Sequence, residues 1–129
     1  MNIGELSKLS GVSSKMIRRY EDDGIVAKAK RTESGYRIYQ EQDVQIFKFI
    51  KRSRELGFSL SDTKQLVSLW RNKSRSSSKV NEIAKQHVVN LTNKLNETKQ
   101  MINQLNHLIK NCHGDSRPDC PIIDDLESH

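Results

Sequence analysis

A chain of 129 residues suffices for one compact domain or a small domain with an extension, and excludes two large cores or a deep pocket for multistep chemistry. The formal net charge of +6 is uneven: residues 1–75 carry 16 Lys/Arg against 9 Asp/Glu, whereas residues 76–129 carry 6 against 7, so the first part is the candidate for meeting a polyanion. No apolar run approaches the roughly 20 residues of a membrane span and the N-terminus has no apolar signal core, which predicts a cytoplasmic protein with no membrane partner.

Asn2 caps a first helix, with Glu5 three residues on and Ile3, Leu6 and Leu9 at helical spacing until Gly11 interrupts. After the Gly11-Val12 turn, Ser13 caps a second helix in which Met16, Ile17 and Tyr20 line one side and Lys15, Arg18 and Arg19 the other. Two short helices about a glycine turn predict a helix-turn-helix. Gly24 closes the second helix, and Ile25 to Tyr39, β-branched, basic and aromatic around Glu33-Ser34-Gly35, predicts a small basic hairpin, or wing.

From Glu41 a third helix turns Val44, Phe47 and Ile50 inward and stops at Gly57, beyond the basic cluster Lys51, Arg52 and Arg54. A fourth packs through Leu60, Leu66, Val67, Leu69 and Trp70. Residues 71–79 are Ser-rich, charged and nearly free of apolar residues, and are assigned as a linker. Beyond it Ala84, Val88, Leu91, Leu95, Thr98, Ile102, Leu105, Ile109 and Cys112 follow alternating steps of four and three, the spacing of a coiled-coil seam. So long a stripe predicts a homodimer, with a helix folded back on its own domain as the alternative. The expected domains are 1–70 for the helix-turn-helix and wing, 71–79 linker, 80–111 dimerisation helix, and 112–129 a loop with a short terminal helix.

That loop, Cys112 to Cys120, holds the only two cysteines. In a reducing compartment such a pair is more often metal-binding, redox-active or incidental than a structural disulfide, and two thiolates on a tight polar loop suggest a switch for a soft ion.

The helices and wing place Lys15, Arg18, Arg19, Arg31 and Arg37, with Tyr20, Tyr36 and Tyr39, where one face can present them. Arginine forks suit phosphates or guanine edges, and tyrosines bond phosphates while packing on sugars. The stretches Ile3-Gly4-Glu5-Leu6-Ser7-Lys8, Gly11-Val12, Ile17-Arg18-Arg19-Tyr20-Glu21, Gly24-Ile25, Gly35-Tyr36-Arg37-Ile38-Tyr39 and Arg54-Glu55-Leu56-Gly57-Phe58-Ser59-Leu60 resemble the MerR family of transcription regulators, in register over essentially the whole chain. The resemblance implies an all-α fold with a small β wing: a winged helix-turn-helix DNA-binding domain plus a long antiparallel coiled-coil dimerisation helix. It further implies that Ser14, Lys15, Arg18, Tyr20, Arg31, Tyr36, Arg37 and Arg54 hold the operator backbone or reach a base edge, with Arg18 first for a base. Two-fold dimers reading successive major grooves imply an inverted-repeat operator. The family's output is also implied: a promoter with an overlong spacer is distorted on metal binding so that RNA polymerase initiates, a change in DNA shape rather than in affinity.

The loop Cys112-His113-Gly114-Asp115-Ser116-Arg117-Pro118-Asp119-Cys120-Pro121-Ile122-Ile123 is similar to the metal loop of the family's copper-efflux regulators. Two thiolates without a further strong donor suit Cu(I), and equally Ag(I) or Au(I), in a linear arrangement, whereas zinc usually takes four ligands. In the zinc, cadmium and mercury branches a cysteine near the start of the dimerisation helix joins from the other subunit; here Ser77 occupies that position. His113 stands where relatives carry proline, either as an added ligand or as a solvent-facing loop residue. Asp115 and Asp119 read as turn and cap residues, Pro121-Ile122-Ile123 and Leu126 as a short terminal helix, and His87, His107 and His129 receive no site role. A thiol/disulfide sensor, a divalent-metal sensor and a multidrug-type regulator stay open as alternatives. An enzyme does not fit: there is no Gly-rich phosphate loop, no HExxH and no nucleophile with an evident base.

Overall fold

The computed structural model describes all 129 residues. Its elements are α1 (Ile3–Ser10), α2 (Ser14–Asp22), β1 (Lys30–Arg31), β2 (Arg37–Ile38), α3 (Glu41–Glu55), α4 (Leu60–Arg71), α5 (Ser77–Asn111) and α6 (Pro121–Ser128). They form two compact units, Met1–Ile83 and Ala84–His129.

In the first unit the caps lie where the sequence places them. Asn2 Oδ1 accepts from the Glu5 amide at 2.8 Å and Ser13 Oγ from that of Met16 at 3.2 Å, each satisfying a donor that the first turn leaves open. Gly11 joins the two helices in a left-handed conformation, φ 77°. A Cβ there would meet only the movable end of the Lys51 side chain, so it is the backbone conformation that calls for glycine at this turn. Leu6, Ile17, Phe47 and Ile50 are fully buried at the centre of the core, and Val12, Tyr20, Ile25, Tyr39, Val44, Ile46 and Val67 complete it. Burying each of the large apolar side chains is worth roughly 1.5–3 kcal/mol, which holds α1, α2 and the wing on α3.

The wing is a two-stranded antiparallel hairpin pairing Lys30 with Ile38 and Arg31 with Arg37. Its turn closes through Thr32 N donating to Tyr36 O at 2.8 Å, with Gly35 at φ 86°. Trp70 of α4 lies flat on Phe49 of α3, with ring centroids 4.5 Å apart, and stays partly exposed.

The linker is shorter than its composition suggests. Arg71 still belongs to α4 and α5 begins at Ser77, leaving residues 72–76 between them. Serine is a poor helix interior but a good helix start: Ser76 Oγ accepts from the Ser78 amide at 3.2 Å, so the Ser-rich run begins the helix that it was expected to precede.

In the second unit only His87 is buried, while Val88, Leu91, Leu95, Ile102, Leu105 and Ile109 stand 43–60% exposed along α5. No helix is long and apolar enough to cross a membrane.

Candidate nucleic-acid interface and metal centre

Recognition-type geometry in the first unit comes from α2 and the wing. Ile17 fills the core while Lys15, Arg18 and Arg19 face solvent, as a helical period of 3.6 requires. Arg19 pairs loosely with Asp23 at 3.8 Å; Lys15 and Arg18 project without an ion-pair partner, and Ser14 sits half-buried in the first turn. Tyr36 at the wing tip is 74% exposed. Arg31 is exposed, its Nη1 donating to Gly35 O at 2.8 Å, and exposed Arg54 donates from Nη1 to Phe58 O.

Two tyrosines depart from the expected face. Tyr20 is 6% exposed and its ring stacks against Phe47 with centroids 6.5 Å apart, so its ring belongs to the core. The reason is its position on α2: Tyr20 follows Ile17 by three residues and shares its buried side. Tyr39 is 3% exposed and donates its hydroxyl to Glu21 Oε1 at 2.5 Å. Burial, that hydrogen bond and the nearby carboxylate charge push the Tyr39 phenol well above its ordinary range, against the smaller pull of Arg37 and Arg18.

Glu21 was not legible as a functional residue. It is 3% exposed, and besides accepting from Tyr39 it holds Arg37 Nε at 3.4 Å from Oε2. The available signal is a spacing of two: Arg37 in β2 and Tyr39 just beyond it can turn to the same side of extended chain, so a single acid can serve both.

In the second unit, Cys112 follows the last turn of α5 and Cys120 is the residue before α6. Both thiols are free and half-buried, with their sulfurs 3.2 Å apart. The hydrogen bond from Cys112 and the Ile123 and Ile122 amides at the start of α6 draw the Cys120 thiol below its ordinary value, since each stabilises the thiolate. Pro121 at the first helical position leaves those amides oriented without demanding a partner of its own. Asp115 serves Arg117, accepting at 2.9 Å from its amide and pairing at 2.8 Å with Nη2; this holds the Asp115 carboxyl below its usual range and shapes the loop. His113 is exposed, and Ser77 is the exposed first residue of α5. No group of three or more His, Cys, Asp or Glu side chains is gathered in the fold. One chain thus brings two sulfurs, soft donors, together at this loop.

Comparison with known proteins agrees with this arrangement. Residues 1–69 match the MerR HTH family regulatory protein family and residues 44–108 the family described as MerR, DNA binding. The chain is 52% identical over 126 residues to the heavy metal-dependent transcription regulator 2 of Rhizobium meliloti (strain 1021), covering 98% of this chain and 86% of that one. It is 38% identical over 129 residues to the HTH-type transcriptional regulator CueR of Vibrio cholerae, covering all of this chain and 93% of that one. Among solved structures, PbrR691 of Ralstonia metallidurans CH34 in complex with lead(II) superposes with a TM-score of 0.85 at 28% identity over 98% of both chains. With helix-turn-helix, wing and long helix all in place, the chain belongs to the MerR family of helix-turn-helix regulatory proteins.

Proposed function

We propose that this protein is a cytoplasmic, metal-responsive transcription activator that binds an inverted-repeat promoter operator as a homodimer and responds to Cu(I), or to Ag(I) or Au(I), through Cys112 and Cys120. The observation that carries the metal assignment is the pair of free sulfurs 3.2 Å apart with no third donor gathered beside them. Relatives named for heavy-metal dependence and for CueR support it from outside the chain. When bound, the ion would be held by Cys112 and Cys120 and would tie the two ends of the loop together. The chain's own part is to present two sulfurs, to lower the Cys120 thiol through its hydrogen bond with Cys112 and the α6 amides, and to carry Ile122, Ile123 and Leu126 next to the loop. A change of loop order then biases a two-state dimer whose paired heads deform the promoter spacer for RNA polymerase.

Anaerobic titration of the reduced protein with Cu(I) against a competing chelator, in parallel with Zn(II), tests the reading. One thiol-dependent Cu(I) per chain, lost in Cys112→Ser and in Cys120→Ser while both variants still bind DNA, is the expected result. Tighter Zn(II), or metal uptake that survives both substitutions, overturns it.

A further inference from the structure

Glu21 ends the buried face of α2 and has no role in the proposed function as stated, yet it is the most completely enclosed charged group in the first unit. Its side chain is 2% exposed, and each carboxylate oxygen has one partner: Oε1 takes the Tyr39 hydroxyl and Oε2 the Arg37 Nε. A buried carboxylate is costly unless paired and hydrogen-bonded, and here both partners come from the segment that forms the wing.

The wing itself carries an unusual cross-strand pair. Arg31 and Arg37 are directly opposed, an arrangement of like charges that disfavours a hairpin unless an anion lies against it. Glu21 supplies a compensating charge on the inner side. Arg37 Nε lies 3.4 Å from Glu21 Oε2 as an ion pair, and its side chain remains 24% exposed. A guanidinium drawn to a buried carboxylate on one side keeps its exposed side for another anion, and its planar fork suits a phosphate.

We propose that Glu21 is a positioning residue for DNA binding: reaching from α2 to β2, it fixes the wing against the recognition helix and orients Arg37 so that its free guanidinium edge takes a backbone phosphate. This rests on the basic face being the DNA surface. Because the carboxylate belongs to the helix and the arginine to the wing, the contact also sets the distance between a groove-reading element and a backbone-holding one.

The test is binding of the full-length dimer, across a salt series, to a random-sequence duplex of about 30 base pairs, which spans two successive major grooves, and to the duplex that the wild-type protein selects from a random library. Arg37→Ala should lower the slope of log K against log salt by about 0.9 per phosphate lost and weaken binding to both duplexes about tenfold. Glu21→Gln, which keeps an acceptor for Tyr39 but removes the charge facing Arg37, should weaken binding three- to tenfold. Arg37→Ala should add little further loss in that background. A purely structural role would lower stability without this coupling or the change in salt slope.

Arg37→Lys, an exposed change that threatens folding least, should bind nearly as weakly as Arg37→Ala, because an ammonium cannot be held at one nitrogen while presenting a fork. Arg37→Lys at wild-type affinity, or additive losses in the double variant, overturns the positioning role while leaving the DNA surface intact. Wild-type binding by Arg37→Ala overturns both the proposal and the placing of the wing on DNA.

Discussion

Tyr39 shows how one residue couples ionisation to the fold. Its hydroxyl donates to a buried carboxylate, and its folded-state pKa is raised above the ordinary 10.0. A group whose pKa is raised by folding contributes stability fully below its unfolded value and loses that contribution as pH climbs through the folded one. The first unit is therefore expected to weaken above about pH 10, with Tyr39 resisting ionisation until the fold opens. Tyr39→Phe should cost about 1–3 kcal/mol at neutral pH by leaving Glu21 Oε1 without its donor, and should flatten the alkaline decline; denaturant melts of both proteins at neutral and alkaline pH measure each effect. An unchanged alkaline profile in Tyr39→Phe would place the pH sensitivity elsewhere. The cysteines make a parallel case, since the sequence supplies two thiols and the fold lowers the Cys120 thiol through a hydrogen bond with Cys112 and, to a smaller extent, the Ile123 and Ile122 amides.

At the scale of elements, α2 illustrates a division of labour set by helical period. Ile17 and Tyr20 anchor it in the core beside Phe47, and Arg18 is left exposed, where the proposed function has it reach a base. Arg18→Ala is predicted to cost about 1–3 kcal/mol in operator binding with relaxed preference at one position of each half-site. Measured by competition among operators altered at single positions, an equal loss on every sequence would make Arg18 a phosphate contact instead. The sequence assigned Tyr20 to both sides of this helix, to the packing side by spacing and to DNA by resemblance, and the packing side prevailed because a ring three residues after Ile17 points into the core. The wing was legible from Gly35 and its basic strands. Its attachment was not, because Glu21 and Tyr39 are 18 residues apart and neither marks the other locally.

For the whole molecule, the stripe from Val88 to Ile109 is the main unsettled surface of a single chain. Its four-three spacing matches what a second helix covers, and about half of each large side chain on it is exposed. Leu95→Glu together with Ile102→Glu should convert a dimer to single chains in sedimentation equilibrium and reduce affinity for an inverted-repeat operator by at least tenfold, since two heads no longer bind as one. A variant that stays dimeric would show that the seam lies elsewhere. The thiol loop follows the same helix, so in the proposed function metal capture would reach the dimer contact through one element.

The sequence by itself determined the helix-turn-helix, the wing, the long helix with its seam, and the two-cysteine loop. Each is written in local signals: caps at Asn2 and Ser13, a left-handed glycine at Gly11, a period in the apolar residues, a cysteine spacing. Only the tertiary structure decided that Tyr20 and Tyr39 belong to the core, that Glu21 joins recognition helix to wing, that Ser77 opens α5 instead of lying in a linker, and that the two sulfurs lie 3.2 Å apart beside the α6 amides. Those facts depend on which side of an element meets another, and on pairings across the chain that local spacing does not encode.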